Sequence, residues 1–263
     1  MHKFSIFSWF GFRIPLEEGL RLIKATGFDG VLLWWSNENA DVDKRLQPEM
    51  ARREGLYVEN IHTPFYGVNH LWTASNDGDE YEKMVASCIA DCAEHGISTA
   101  VIHLSQSDTP PDPNQIGLDR IKRLVELAER KNVNIALENL RRLEHLGYIL
   151  TNIQSPRLGF CYDSGHENCF TKGADLLAKY GSKLMALHLH DNDGKGDQHL
   201  IPGEGSINWP VIRRKLQETG YTSAIALEAI KPESVSETAE AYLKRAYQAA
   251  KDIFGASDSR REG

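Results

Sequence analysis

Acidic and imidazole side chains follow several short apolar runs of this chain. The runs are rich in aliphatic and β-branched residues, as residues 100–102 before His103 illustrate. Six runs end at or beside a side chain that can bind a metal ion: His62, His103, Glu138, Asp163, His188 and Glu228. If these groups converge, they repel one another or stay unsatisfied unless a cation neutralises them. The pattern therefore predicts a divalent-metal site.

Two further clusters add potential ligands. His166 follows Asp163 by three residues, and Asp197 and His199 lie in a long loop after the seventh run. In an extended Asp-x-His segment the two side chains point to the same side, so one ion can contact both. Asp191, in the same loop, is interpreted as a turn former, and substrate contact is the less favoured interpretation.

The elements that must position these residues alternate between strands and helices. Strands are predicted at 4–10, 28–35, 56–62, 98–103, 133–138, 158–163, 184–189 and 223–228. Helices are predicted between them, near 15–26, 43–54, 79–95, 114–130, 144–152, 172–180, 209–219 and 236–254. The strand middles are continuously apolar, which is typical of parallel strands buried on both faces.

Eight strand-then-helix units predict an α/β fold, a single (β/α)8 TIM barrel. The alternative, an open doubly wound sheet, normally carries a glycine-rich phosphate-binding turn after its first strand. Residues 9–13 read Trp-Phe-Gly-Phe-Arg at that place, which lacks the G-x-G-x-x-G pattern. In a barrel the strand ends meet at one mouth, where active sites are built. We predict the barrel over 1–254 and a flexible tail over 255–263.

Composition excludes several classes of protein. The chain has 263 residues, of which 41% are hydrophobic and 25% are charged, so a packed core is expected and disorder is not. Its net charge of −7 gives no overall attraction to nucleic acid or to anionic membranes. No stretch reaches the ~20 apolar residues that span a bilayer, and no secretory signal is evident. Because the four cysteines are too few for a disulfide framework, a soluble, reduced, cytoplasmic protein is predicted.

Short motifs at the strand ends resemble those of the xylose-isomerase-like TIM barrel superfamily. This superfamily includes sugar isomerases and epimerases, and also the endonuclease IV branch of AP endonucleases. The resemblance runs from about residue 4 to about residue 254. Its carriers are His62-Thr63-Pro64, Val101-Ile102-His103, Ala136-Leu137-Glu138-Asn139, Asp163-Ser164-Gly165-His166, His188-Leu189, Asp197-Gln198-His199, Gly203-Glu204-Gly205 and Ala226-Leu227-Glu228.

The resemblance implies a ligand set for the metal. In both branches of the superfamily, one divalent ion would be held by Glu138, Asp163, His188 and Glu228. In endonuclease-like members, two more zinc ions would be held by His62, His103, His166, Asp197 and His199. All nine positions carry a suitable residue here, so an endonuclease IV-like zinc phosphodiesterase acting on abasic DNA stays open. Oxygen and nitrogen ligands without thiolate suit one Mn²⁺, Zn²⁺, Co²⁺ or Mg²⁺ ion, or up to three Zn²⁺ in the endonuclease case.

Three observations favour the sugar enzyme over the nuclease. Apart from Arg141-Arg142, no cluster of basic residues flanks the mouth loops, whereas phosphate-backbone binding needs several cations. The turn at 202–205 resembles the loop of the sugar enzymes. Aromatic residues that can stack on a sugar ring follow the first three strands: Trp9, Phe10, Trp34, Trp35, Phe65 and Trp72.

The predicted function is therefore a divalent-metal-dependent isomerase or epimerase of a sugar or related polyhydroxylated carbonyl compound, acting through an enediolate. Glu138 and Glu228 would be the catalytic acid and base, as the resemblance implies. Trp34 and Arg141 are predicted to bind substrate, the latter through a phosphate or carboxylate. The expected partner is a small-molecule sugar or sugar phosphate, with no membrane and with nucleic acid less favoured. A dehydratase and a homo-oligomer are left open.

Overall fold

The computed structural model describes residues 2–38 and 41–255. Its sheet consists of eight parallel strands: β1 (Phe4–Phe7), β2 (Gly30–Trp34), β3 (Tyr57–His62), β4 (Thr99–Ile102), β5 (Asn134–Glu138), β6 (Leu158–Asp163), β7 (Leu184–His188) and β8 (Ile225–Leu227). Each strand from β1 to β6 pairs with the next along the chain, and β1 also pairs with β8. The amide of Leu189 donates to the Ala226 carbonyl (2.9 Å), and that of Glu228 donates to the Leu189 carbonyl (3.0 Å). These bonds bridge β7 and β8, and the predicted (β/α)8 barrel is confirmed.

Helices connect the strands on the outside of the barrel. The α-helices of the described residues are α1 (Leu16–Thr26), α2 (Gln47–Arg53), α3 (Asn76–Glu94), α4 (Gln115–Lys131), α5 (Leu143–Asn152), α6 (Ser164–Phe170), α7 (Leu176–Tyr180), α8 (Trp209–Thr219) and α9 (Ala239–Phe254). Short 3₁₀ helices lie at Lys44–Leu46, Val68–Trp72 and Gly181–Lys183. None of the described helices is long and apolar enough to cross a membrane. Of the predicted tail, residues 256–263 lie outside the described residues.

Helix α6 is missing from the predicted elements. It has only seven residues and begins directly at the end of β6, where the Asp163 side chain accepts a hydrogen bond from the His166 amide (2.6 Å). Glycine and asparagine within it have weak helix propensity, so its sequence pattern is faint. Helix α7 begins at Leu176 rather than at 172, because Asp175 caps it through the Ala178 amide.

Small side chains fill the inside of the barrel below the mouth. They form a buried cluster of Val101, Ala136, Cys161 and Ala186. Because strand side chains alternate between the two faces, the residue two positions later on each strand also points inward. Those residues are His103, Glu138, Asp163 and His188. The alternation of each strand thus places the candidate ligands above this cluster, facing the barrel axis.

Candidate active site

Two carboxylates and one imidazole meet at the barrel mouth. The Nδ1 atom of His188, at the end of β7, lies 3.2 Å from Oε2 of Glu138 and 3.4 Å from Oε2 of Glu228. Glu138 ends β5 and Glu228 follows β8, so the two carboxylates approach the imidazole from different strands. All three side chains are buried. Burial alone would raise the pKa of Glu138, but the imidazoles of His188 and His103 outweigh it and hold that pKa well below its usual value.

His62 and His103 join Glu138 on its other side. Their Nε2 atoms lie 3.4 Å and 3.2 Å from Oε2 of Glu138 and 3.1 Å from each other. Burial lowers the pKa of His103, so its ring favours the neutral form. The three ligand-type atoms therefore form a compact group at the ends of β3, β4 and β5.

A third group forms around Asp197, in the loop between β7 and α8. Its Oδ2 atom lies 3.2 Å from Nε2 of His166 and 3.4 Å from Nε2 of His199. Burial by itself would raise the pKa of Asp197, but hydrogen bonds from the two imidazoles hold it below its usual value. In turn the Asp197 carboxylate outweighs burial and raises the pKa of His199 to about 9. The side chains of Asp197 and His199 thus reach one place, although His199 has a left-handed backbone (φ 50°) rather than the extended one that was assumed.

Three of these imidazoles are oriented by backbone carbonyls. The Nδ1 atoms of His62, His166 and His199 lie 2.8, 2.9 and 2.8 Å from the carbonyl oxygens of Thr63, Asn139 and Glu228, respectively. A neutral ring that donates Nδ1–H to a carbonyl has its Nε2 lone pair free, and metal-binding histidines are usually held in this way. Each of these Nε2 atoms faces a carboxylate.

The donor set at the mouth fits a divalent cation. Oε2 of Glu138 and Nδ1 of His188 are buried and have no hydrogen-bond partner within the described ranges, although both face the cluster. Buried polar atoms normally have a partner, and a cation is one. Several sets of three residues bring their ligand atoms within 4.8 Å of one another, including His62 with His188 and Glu228. The residues present fit a metal ion with mixed oxygen and nitrogen ligands.

Asp163 lies beside this centre, on the neighbouring strand. It pairs in register with His188, and both of its carboxylate oxygens lie 3.1 Å from Nε2 of His190. Its Oδ1 atom lies 3.7 Å from Nδ1 of His166, which is itself 3.2 Å from Oε1 of Glu138. Of the four residues in the set implied by the resemblance, three are therefore in direct contact, and Asp163 adjoins them through His166.

His190 is a site residue that the sequence analysis does not select. Its side chain is fully buried, and its ring stacks on that of His199 with centroids 3.9 Å apart and planes at 10°. A Cβ atom on Gly165 would lie 1.9 Å from Cε1 of His190, so a glycine is required at that place. The available signal was the two-residue spacing from His188, which puts both rings on one face of the chain.

Asp191 has a larger role than the turn former that was predicted. Its carboxylate is fully buried and accepts four hydrogen bonds. The donors are the amides of Asn192 (2.9 Å), Gly203 (2.9 Å) and Ile207 (3.1 Å) and Nε1 of Trp209 (2.7 Å). These donors come from both ends of the loop. One side chain therefore joins the two ends of the segment that presents Asp197 and His199.

The predicted aromatic lining is only partly present. The Trp34 ring lies 5.2 Å from the His62 ring and 5.5 Å from the Phe65 ring, and it is half-buried at the mouth. Trp9 is 46% exposed. The prediction is wrong for the other three aromatics, which are buried in the core: Phe10, Trp35 and Trp72. Trp35 follows Trp34 directly, so strand alternation turns it to the opposite face.

Arg141 lies at the rim of the mouth, in the segment between β5 and α5. Its guanidinium carbon is 3.7 Å from the centroid of the Phe170 ring, and its NH1 is 3.2 Å from Oδ1 of Asp108. The Arg141 side chain remains 46% exposed. The neighbouring Arg142 pairs with carboxylates on the other side, those of Asp112 (3.4 Å) and Glu144 (3.2 Å).

Comparison with known proteins identifies relatives along most of the chain. A family profile, xylose isomerase-like TIM barrel, matches residues 20–252. An uncharacterized protein of Methanocaldococcus jannaschii is 27% identical over 247 residues, covering 86% of this chain and 83% of that protein. Fructoselysine 3-epimerase of Shigella flexneri is 23% identical over 245 residues, covering 83% of this chain and 86% of the relative. A crystal structure of IOLI protein with a binding zinc atom has a TM-score of 0.79 at 18% identity, covering 96% and 98% of the two chains.

Proposed function

Because this chain belongs to the xylose isomerase-like TIM barrel family, we propose that it is a divalent-metal-dependent isomerase or epimerase of a sugar or a related polyhydroxylated carbonyl compound. The relatives of this chain include a sugar epimerase. The observation that carries the proposal is the convergence of Glu138 and Glu228 on His188 from separate strands. Two carboxylates that face one small volume can remove a proton and return one to the same substrate.

The proposed reaction proceeds through an enediolate. One of Glu138 and Glu228 is ionised and removes the proton from the carbon beside the carbonyl, and the other, protonated, returns a proton. Different local environments allow two nearby carboxyl groups to hold different protonation states. His62 and His166 would hydrogen-bond substrate hydroxyls, and Trp34 would stack on the sugar.

A divalent cation, Mn²⁺, Zn²⁺, Co²⁺ or Mg²⁺, would be held by Glu138, Asp163, His188 and Glu228. When bound, it supplies positive charge that stabilises the negative charge developing on the substrate oxygens. Support for a metal comes from the buried donor set and from the zinc in the IOLI structure.

The experiment is solvent exchange. Metal-loaded protein is incubated with a panel of ketoses in D₂O, and NMR follows deuterium at the carbon beside each carbonyl. The proposal expects incorporation with at least one ketose, and expects it to stop after dialysis against a chelator. Incorporation that survives complete metal removal would overturn the metal dependence, and no incorporation with any ketose would overturn the proposed reaction.

A zinc phosphodiesterase acting on abasic DNA is the second candidate. The observation in its favour is that the two additional ligand groups are also assembled, one at Glu138 and one at Asp197. Metal analysis separates the two candidates, since three zinc ions per chain with cleavage of an abasic duplex favour the nuclease. One ion per chain and an intact duplex favour the isomerase or epimerase.

A further inference from the structure

We infer that Arg141 recognises an anionic group, a phosphate or a carboxylate, at the end of the substrate remote from the reacting carbon. The inference rests on the proposed function. Arg141 follows the carboxylate of Glu138 by three residues, so its backbone is held at the same mouth.

A stack of three planar groups leads from the site to the guanidinium. The Phe170 ring stacks on the His166 ring with centroids 5.3 Å apart and planes at 28°. The Arg141 guanidinium lies over Phe170 at 3.7 Å. Nδ1 of His166 is 3.2 Å from Oε1 of Glu138. The guanidinium therefore stands no farther from His166 than these two stacking distances together, which a sugar chain of a few carbon atoms can span.

Stacking prepares the guanidinium for an anion. An aromatic face holds the planar group while its N–H donors point outward from the edge. Those donors form a fork that matches two oxygens of a carboxylate or phosphate. Arg141 thus has both an orientation and donors directed away from Phe170.

The present counter-ion of Arg141 is easily displaced. Asp108 is 82% exposed at its side chain, and exposed ion pairs contribute little free energy. Arg142 differs because it pairs with two carboxylates, Asp112 and Glu144. The two adjacent arginines therefore form a matched pair, with the stacked one beside the site and the other directed to helix α5.

Electrostatics explains why a cation is useful at this rim. The floor of the mouth holds four carboxylates: Glu138, Asp163, Asp197 and Glu228. A bound divalent cation and the neighbouring imidazoles would balance these charges, so the floor has no positive charge to spare for an anionic substrate. The guanidinium at the rim supplies positive charge for an anion placed above the floor, and it gives no comparable advantage to a neutral sugar.

The test compares three forms of the ketose most active in solvent exchange: neutral, esterified with phosphate at its far end, and oxidised to a carboxylate there. Wild-type protein is expected to favour an anionic form by about tenfold or more in kcat/KM, as a charge-assisted hydrogen bond implies. The form preferred identifies the anion. Arg141→Gln should bring the ratio of kcat/KM for the anionic form to kcat/KM for the neutral form down to about one. Arg141→Lys should retain part of this ratio, and Arg142→Gln should leave it unchanged. Asp108→Asn should increase it about twofold.

Two results would overturn the inference. One is an equal kcat/KM for the neutral and anionic forms with the wild-type protein. The other is an equal loss of the ratio in Arg141→Gln and Arg142→Gln, which would indicate net charge alone. If no ketose exchanges deuterium, the proposed function fails. The binding of inorganic phosphate, measured by ³¹P NMR, then tests whether Arg141 binds an anion. Weaker phosphate binding in Arg141→Gln than in Arg142→Gln supports the site, and equal binding overturns it.

Discussion

Two parts of the mouth hold their side chains by different means. Glu138, His188 and Glu228 stand at or beside strand ends, where the ladder of the barrel places them. Asp197 and His199 stand on a loop, and the carboxylate of Asp191 joins the two ends of that loop. Many backbone hydrogen bonds hold the residues at the strand ends in place, whereas the side chain of Asp191 alone supplies much of the support of the loop. The strand part should therefore tolerate damage to any one supporting contact, and the loop part should not.

The largest expected effect comes from the strand part itself. Glu138→Gln and Glu228→Gln keep the shape of each side chain but remove its ability to exchange a proton. We expect solvent exchange to fall by about 10²- to 10⁴-fold. Deuterium incorporation by NMR measures the loss, and circular dichroism checks the fold. Glu126→Gln on the exposed face of α4 is the control and should retain full activity. Near-normal exchange in both variants would show that these carboxylates are not the acid and base.

A smaller effect is expected when the loop support is removed. In Asp191→Asn, an amide group replaces one acceptor oxygen, so two of the four donors lose their partner. We expect the free energy of unfolding to fall by about 1–3 kcal/mol. We expect turnover to fall by roughly 10- to 100-fold, because Asp197 contacts Nε2 of His166, the ring proposed to bind substrate hydroxyls. Amide hydrogen exchange should accelerate at Gly203 or at Ile207, whose amides bind different oxygens of the carboxylate.

Asp193→Asn is the matched control, because Asp193 is exposed and only caps its own turn at the Lys195 amide (2.9 Å). Equal hydrogen exchange in Asp191→Asn and Asp193→Asn would contradict the difference between the two parts of the mouth.

The third effect concerns stability alone and is a pH dependence of the loop part. Burial alone would lower the pKa of His199, but Asp197 outweighs it and raises that pKa to about 9. A raised pKa means that the protonated ring stabilises the folded state below the unfolded-state pKa of ~6.5, and that this contribution is lost as pH rises through about 9. In metal-free protein, the difference in unfolding free energy between wild type and His199→Gln should shrink by ~3 kcal/mol over this range. Urea denaturation measures it, and a difference that does not change with pH would refute the assignment.

The positions of the residues in the strand part could be predicted from the sequence, because they depend on short local patterns. An apolar run that ends in His103 or Glu138 identifies both a buried strand and the group at its end. Alternation along the strand then decides which side chains face inward. For the same reason Trp34 lies in the mouth while Trp35 does not. The two-residue period of a strand predicts this difference, although both residues were assigned to the mouth from the sequence.

The loop part was less accessible because its contacts join distant positions. Asp191 binds Gly203 and Trp209, and nothing in the spacing of these residues indicates that they meet. The ring of His190 finds its place through Gly165, on another strand-helix unit. Such pairings depend on how loops cross in space, and propensity and periodicity along one chain do not encode that.

The clamp formed by Asp191 also bears on how this protein could diversify. Its four donors belong to residues 192, 203, 207 and 209, so the intervening arc at 193–202 is bounded on both sides by anchors that do not depend on its own composition. The positions of this arc other than Asp197 and His199 can therefore change while the barrel beneath keeps its register. Because the arc lies over the mouth, we expect substitutions that change the substrate scope to accumulate there before they accumulate in the strands.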